Sequence, residues 1–389
     1  MDFWIIIYII DWLFFGIVAI TVLYLAFFAI AGLFSRHSVI PKARHQNRFI
    51  VLIPAYKKDQ AVFETVRSVL GQTYPQRMFD VTVISDHEDE MTNIRLAQYP
   101  ITLLIPNFGD SSKLRSLQFA INNLPQFKIY DIVLILDAGT VIEQEFLQQM
   151  NDAYEISGTK AIQAHRLSKN RDTAIAHMDA VFEEINNTIF RRGHITVGLS
   201  SALASSGNAF DFSWFKENIF KVKPTAFDKD LEALLLRQRI FVDYFDDILV
   251  YDEKIREVHD FNEQRSRWSS AQFHSLIRNL RYLPTAIFNR YYAWIDKLIQ
   301  WMLMPRTVMM SIIALMSILM PFIYFTLAIK WWFLFAFVMF VFAISTPDYL
   351  VDKNWNKSFR KVPFIMIASL FSPAKIVQSD KHFVHKNKK

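Results

Sequence analysis

Apolar residues follow two rhythms along this chain. From Phe3 to Phe34 the only charged residue is Asp11, and the run from Trp12 to Phe34 is long enough by itself to cross a bilayer as a helix. A second apolar run extends from Thr307 to Ile329 and a third from Trp331 to Ser345, with Lys330 between them. This pattern predicts two spans joined by a short turn at Lys330. Between the terminal runs, Phe49–Ile53, Asp80–Ser85, Ile101–Ile105 and Asp131–Leu136 are short continuous apolar stretches, the signature of strands buried on both faces. Ala61–Leu70 and Lys113–Leu124 repeat apolar residues at helical spacing, as with Leu114, Leu117, Ile121 and Leu124. The alternation predicts an α/β domain with a mostly parallel, Rossmann-like sheet. From Ile287 to Arg306, the residues Ile287, Tyr291, Trp294, Ile295, Leu298, Trp301 and Met302 fall on one helical stripe, which predicts an amphipathic helix lying at a membrane interface.

Charge placement orients these pieces. Arg36, Lys42, Arg44 and Arg48 follow the first span with no acid between Phe34 and Phe49, which predicts a cytoplasmic soluble domain and a multi-pass cell-membrane protein. The same cations, and the lack of a basic stretch before the apolar run or a cleavage site after it, argue against a signal peptide. The tail is basic too, with Asp352 and Asp380 its only acids after Tyr349. The expected organisation is a first span in residues 1–35, a soluble domain over 49–280, an interfacial helix over 282–306, a membrane hairpin over 307–350 and a cytoplasmic tail over 351–389.

Composition agrees with a part-membrane chain: of 389 residues, 52% are hydrophobic, yet 21% are charged. The absence of cysteine excludes disulfides and thiolate metal sites, leaving Asp, Glu and His for any metal and so favouring a hard cation. There is no G-x-G-x-x-G and no G-K-[ST], so neither a dinucleotide nor a P-loop site is supported. In parallel sheets ligands bind beyond the carboxyl ends of the strands. Pro54 to Asp59, Asp86 to Asp89 and Asp137 to Gly139 are therefore read together. Asp137 alone would suit an ordinary Asp-Ala-Gly turn. Lys113 opens a helix that Ser111 and Ser112 can cap, and a cation in a first turn opposes the helix dipole unless a phosphate sits nearby.

These blocks resemble, in order, those of family 2 glycosyltransferases. They are "VLIPAYKKDQAVFETVRSVLGQTYP" from Val51, "SDHEDE" from Ser85, "SSKLRSLQFAIN" from Ser111, "ILDAGTVIEQEFL" from Ile135, "SSALASSGNAF" from Ser200, "FDKDLE" from Phe227 and "QRSRW" from Gln264. The last block makes the chain most similar to the membrane-bound cellulose and hyaluronan synthase group, whose Q-x-x-R-W element is matched by Gln264, Arg267 and Trp268.

The resemblance implies a GT-A fold and an inverting hexosyl transfer from a UDP- or GDP-linked sugar to a polysaccharide or lipid-linked acceptor. It places Asp59, Asp86 and Lys113 on the nucleotide and its phosphates. Asp137 takes the first position of the family's D-x-D motif, holding the sugar and a Mg²⁺ or Mn²⁺ ion, although Gly139 stands where the second Asp is usual. Asp228 is the expected general base, with Phe227 in place of the usual preceding acid; Asp230 and Glu232 lie close by. Arg267 is assigned to the diphosphate, and Gly207, Asn208, Gln264 and Trp268 to the acceptor. Membrane lipids and export proteins are expected partners, and nucleic acid is not. Gly139 and Phe227 also leave open a second reading, a membrane scaffold of a polysaccharide-assembly complex that has lost catalysis.

Overall fold

A computed structural model describes residues 3–35, 40–125, 127–223, 226–352, 355–361 and 385–386. Arg36 and most of the basic tail lie outside these described residues. Phe3–Leu33 form one helix (α1), and the soluble domain begins at β1 (Phe49–Tyr56). In chain order there follow α2 (Ala61–Leu70), β2 (Phe79–Asp86), α3 (Glu90–Leu96), β3 (Thr102–Leu104), β4 (Asp110–Ser111), α4 (Lys113–Asn123), β5 (Ile132–Ile135), β6 (Val141–Ile142) and α5 (Phe146–Ser157). The second half of the domain comprises β7 (Ala161–Ser168), α6 (Ala174–Asn186), a π-helical run Asn187–Gly193, α7 (His194–Thr196), β8 (Asn208–Asp211), α8 (Phe212–Asn218), α9 (Phe227–Arg237) and β9 (Asp243–Asp252). Helices α10 (Val258–Asn279), α11 (Leu283–Phe288), α12 (Tyr292–Met302), α13 (Arg306–Ile323), α14 (Phe325–Ile344) and α15 (Trp355–Phe359) complete the chain, with a two-residue strand β10 (His385–Lys386) paired to β4.

The remaining eight strands form one sheet in the order β3-β2-β1-β5-β8-β7-β9-β6. β3, β2, β1 and β5 are mutually parallel, β8 runs against both its neighbours, β9 is parallel to β7, and β6 is antiparallel to β9. The four predicted strands are β1, β2, β3 and β5, and in β1, β2 and β5 the unbroken apolar character has a direct cause, both faces being covered, whereas β3 is a partly exposed edge. Val51 and Ile53 of β1 join a core with Val62, Val66, Phe146 and Met150 from α2 and α5, while the alternate residues Ile50 and Leu52 join Leu114, Leu117, Phe215 and Leu231 from α4, α8 and α9.

Among the described residues, three helices are long and apolar enough to cross a membrane: Ile5–Leu33, Arg306–Ile323 and Phe325–Ile344. They pack together and onto α6, with Val18, Val22, Phe182, Met309 and Trp331 in one cluster. The hairpin breaks at Tyr324, not at Lys330, which lies inside α14. There its ammonium pairs with Asp11 of α1 and lies over the Trp12 ring at 3.9 Å, while Trp331 Nε1 donates to Asp11 Oδ1 at 2.9 Å. Lys330 interrupts the apolar run because it has a buried partner, so hydropathy alone misplaced the turn. At its other end α1 meets the π-helical run, where a Cβ on Gly193 would collide with the Phe28 carbonyl.

The amphipathic segment also differs from expectation. It is two helices, α11 and α12, separated by a turn in which Arg290 has φ +49°. Trp294, Leu298 and Trp301 of the predicted stripe are buried against Ala233 and Leu236 of α9. The central stripe is thus a core face of the soluble domain; periodicity shows that one face is apolar, not what covers it.

Candidate active site

The strand ends converge as a parallel sheet requires. After β1 the chain turns through Lys57 at φ +51°, and Asp59 Oδ1 accepts the Asp89 backbone N–H at 2.8 Å. That hydrogen bond is the main influence holding the Asp59 carboxyl below its usual range. Glu88, buried beside it, accepts the Lys58 N–H at 2.8 Å, and desolvation pushes its carboxyl up to about 7. Asp86, the last residue of β2, is buried and accepts from Ser111 Oγ at 2.9 Å. The two serines before α4 divide their work: Ser112 caps the helix by accepting from Arg115 N, whereas Ser111 holds Asp86.

Lys113 links this cleft to the next station. Its Nζ lies 2.5 Å from Asp137 Oδ1, also donates to the Ser205 carbonyl, and sits 5.7 Å from the Phe227 ring centroid. Asp137 lies two residues beyond the end of β5. Two residues on, Gly139 has φ +102° and donates its N–H to Thr65 Oγ1 at 2.9 Å. An aspartate there would be strained, so this turn offers one carboxylate rather than two. Among the described residues, the one cluster of three close ligating groups is His259, Asp260 and Glu263, all exposed on α10, and it does not include Asp137.

Three acids open α9, and their surroundings separate them. Asp230 accepts from Arg278 Nη2 at 2.7 Å and from the Lys223 N–H at 3.2 Å. Glu232 is buried, accepts the Leu203 N–H at 2.6 Å, and has Lys229 3.2 Å away. Asp228 is half-buried, and its Oδ1 is sealed from solvent without a hydrogen-bond partner. Desolvation dominates its titration and pushes the carboxyl up to about 6, with Lys113 pulling the other way. Phe227, buried in the domain core, occupies the position where a second acid was expected, so the desolvating wall beside Asp228 is apolar.

Asp228 lines a cavity of about 360 Å³ that runs from Ser205 and Phe227 to Leu25 of α1 and Thr307 of α13. Arg267 and Trp268 line the same cavity from α10. Arg267 makes no hydrogen bond or ion pair among the described residues. Trp268 is 41% exposed, with the Arg265 guanidinium 4.9 Å from its ring centroid. The structure therefore joins Asp228, Arg267 and Trp268 in one chamber, connects Lys113 and Asp137 to it through Ser205, and keeps Asp59 and Asp86 in the adjoining cleft.

Gln264, Gly207 and Asn208 do not line the chamber. Gly207 has φ +76° and packs so that a Cβ would meet Val250, and Asn208 is buried in β8 with its Nδ2 donating to the Ala204 carbonyl at 2.6 Å. Both lie beyond Ala202–Ser205, the part of that segment that lines the cavity; small residues in a loop signal close packing without saying of what. Arg265 and Arg306 line the chamber and were not picked out in the sequence, because an arginine beside an apolar run reads as a membrane-flanking cation.

Residues 45–271, more than half of the chain, match the family described as "Glycosyltransferase like family 2". No curated protein matches the chain. Among solved structures, the mannosyltransferase PcManGT from Pyrobaculum calidifontis, in complex with GDP-Man and Mn²⁺, is similar in fold at 13% identity and a TM-score of 0.53, over 83% of this chain and 94% of that one. S. aureus TarS 1-349 gives 12% identity and a TM-score of 0.42, over 86% and 91% of the two chains. The shared fold is GT-A, consistent with the mostly parallel sheet.

Proposed function

Because this chain belongs to glycosyltransferase family 2 and is a nucleotide-sugar-dependent glycosyltransferase, we propose that it is a membrane-bound inverting enzyme, working at the cytoplasmic face on an acceptor that enters from the membrane side. The observation that carries this reading is Asp228: a carboxylate oxygen without a partner, sealed in a chamber that opens between the sheet's carboxyl edge and two candidate membrane spans.

In this reading the nucleotide of the donor lies along Asp59 and Asp86, with its diphosphate toward Lys113. An acceptor hydroxyl in the chamber gives its proton to Asp228 Oδ1 as its oxygen bonds to the anomeric carbon, on the face opposite the diphosphate. The bond from that carbon to the diphosphate oxygen breaks, and the electron pair leaves with the nucleoside diphosphate. A single displacement inverts the centre. Lys113 and Arg267 meet the charge that develops on the leaving group; among the described residues no carboxylate holds Arg267, which leaves its fork to the ligand. Trp268 offers an exposed ring face for a sugar of the acceptor.

Asp137 is the residue that would hold a divalent cation. One carboxylate suits a hard ion whose other positions are filled by diphosphate oxygens and water. When bound, such an ion supplies positive charge to the diphosphate, and the Mn²⁺ described with the Pyrobaculum enzyme is consistent with that role. Lys113, now 2.5 Å from Asp137, is placed to turn toward the phosphates.

The test is release of nucleoside diphosphate by the purified protein in detergent, from a panel of UDP- and GDP-linked sugars with membrane lipid extract as acceptor, with and without Mg²⁺ or Mn²⁺. One donor should stand out. Silence across every donor and metal would refute catalysis and favour a scaffold.

A further inference from the structure

The ionisable lining of the chamber is six Lys and Arg side chains against two carboxylates, Glu183 and Asp228. Much of the positive charge is already answered: Arg191 Nη1 donates to Glu183 at 2.9 Å, Arg166 pairs with Glu183 and Asp252, and Arg265 Nη2 donates to Asp179 at 2.7 Å. Arg306 is different. Its Nη2 donates to the neutral Asn186 Oδ1 at 2.7 Å, its guanidinium lies 5.5 Å from the Phe182 ring centroid, and its Nη1 is sealed from solvent with no partner. No carboxylate lies within ion-pair distance of it among the described residues. Nearby, Arg265 Nε is also sealed and unpartnered. A guanidinium withdrawn from water without a counter-charge is costly, and an anion entering the cavity would remove that cost.

The position of Arg306 says where the anion comes from. It is the first residue of α13, and the same wall carries Leu25 of α1, Leu303, Met304 and Thr307, so this end of the chamber opens along two candidate membrane spans. The other end holds Asp228, a base that needs a hydroxyl to act on. We propose that Arg306, assisted by Arg265, binds the phosphate of a lipid-linked acceptor, one in which a phosphate joins the lipid tail to a sugar. The tail leaves past Leu25 and Thr307, the phosphate sits on the guanidinium fork, and the sugar hydroxyl reaches Asp228 beside Trp268. This identification of the acceptor rests on the proposed transfer reaction, but the anion site can be measured without it.

The experiment is binding by the purified full chain in detergent, read by calorimetry or native mass spectrometry, with farnesyl phosphate, farnesol, inorganic phosphate, UDP and GDP as probes. Farnesyl phosphate should bind at least about tenfold more tightly than farnesol or inorganic phosphate, the worth of a hydrogen bond to a charged group. Arg306→Gln should remove that advantage and leave UDP and GDP binding unchanged. Should the Gln variant fail to fold, Arg306→Lys decides the matter: a several-fold loss confined to farnesyl phosphate supports the site. Equal affinity for farnesol would dispense with the anion, and equal affinity for inorganic phosphate would dispense with the lipid; either overturns the proposal. So would parallel losses of nucleotide and farnesyl phosphate in both variants, which would give the chamber to the donor. Arg306-dependent lipid-phosphate binding in a protein that releases no nucleoside diphosphate would keep this site and sink the proposed transfer.

Discussion

Asp228→Asn should lower activity and raise stability together. The Asp228 carboxyl titrates near 6 in the fold and at 3.8 in a free chain, chiefly because burial disfavours its charge. The sign follows: the folded state holds this proton more tightly, so the ionised group is a burden that is full above about 6, shrinks as pH falls, and vanishes below 3.8. Spanning those two values corresponds to about 3 kcal/mol at neutral pH. The residue is only half-buried, so solvent screening brings the expected gain on neutralisation to about 1–2 kcal/mol. Asparagine keeps the shape, and the unfolding midpoint at pH 7.5 should rise by about 2–4 °C for each kcal/mol, with the gain gone well below pH 3.8. Activity should move the other way. Loss of a positioned base costs about 10²- to 10⁴-fold, read as nucleoside diphosphate release in the presence of acceptor, while donor binding stays near wild type. Wild-type turnover should fall as pH drops through about 6. A variant with wild-type turnover would refute the assignment. A variant that lost both turnover and stability would mark Asp228 as structural, and Asp230, already held by Arg278, would offer little refuge.

Four further outcomes test the remaining assignments. Chelation should stop transfer and Mn²⁺ or Mg²⁺ restore it, with Asp137→Ala dead at any metal concentration; full activity in excess chelator would leave Lys113 and Arg267 to carry the leaving group. Arg267→Ala should depress turnover more than donor binding, with Arg267→Lys a partial rescue, whereas Trp268→Ala should weaken acceptor use and spare slow donor hydrolysis. Gly139→Ala, at φ +102°, should cost about 1–2 kcal/mol of stability in chemical denaturation; a neutral result would mean that the turn relaxes. In intact cells, a cysteine at Tyr324 should react with an impermeant thiol reagent, one at Gln98 only after permeabilisation, and one at Lys330 in neither case; labelling of Gln98 from outside would invert the protein.

The strands and their helices were readable because a sheet covered on both faces writes itself as unbroken apolar runs, and β1, β2 and β5 are such runs. Asp137, Lys113 and Asp228 could be singled out as candidates because each stands near a strand end or helix start, where the fold class concentrates chemistry. What escaped depends on contacts between distant segments. Lys330 could not be moved from turn to helix without knowing that Asp11 faces it, 319 positions away by number. Trp294 and Trp301 look the same to a periodicity argument whether lipid or Ala233 covers them. Gly207 and Asn208 line up with a motif, yet the pleat of β8 turns the Asn208 side chain inward. Arg306 becomes distinctive only when the carboxylates around it are found to be taken.

The pairing of Asp11 with Lys330 has a consequence for how the molecule is made. On insertion scales a lone lysine or aspartate at the centre of a span costs about 2.5–3.5 kcal/mol; Asp11 and Lys330 lie nearer the ends of α1 and α14, where the cost is smaller, and their pairing lowers it further. If α1 and α14 span the membrane, α1 is made first and its acid stays uncompensated until Lys330 arrives. Assembly then requires α1 and α14 to dock, at a point where Trp331 also donates to Asp11. Since the far end of α1 is fitted against Gly193, this docking also fixes α1 relative to the sheet domain. A generic hydrophobic helix grafted in place of α1 should hold the protein in a membrane and still leave it misassembled, with an orphaned lysine open to quality-control recognition.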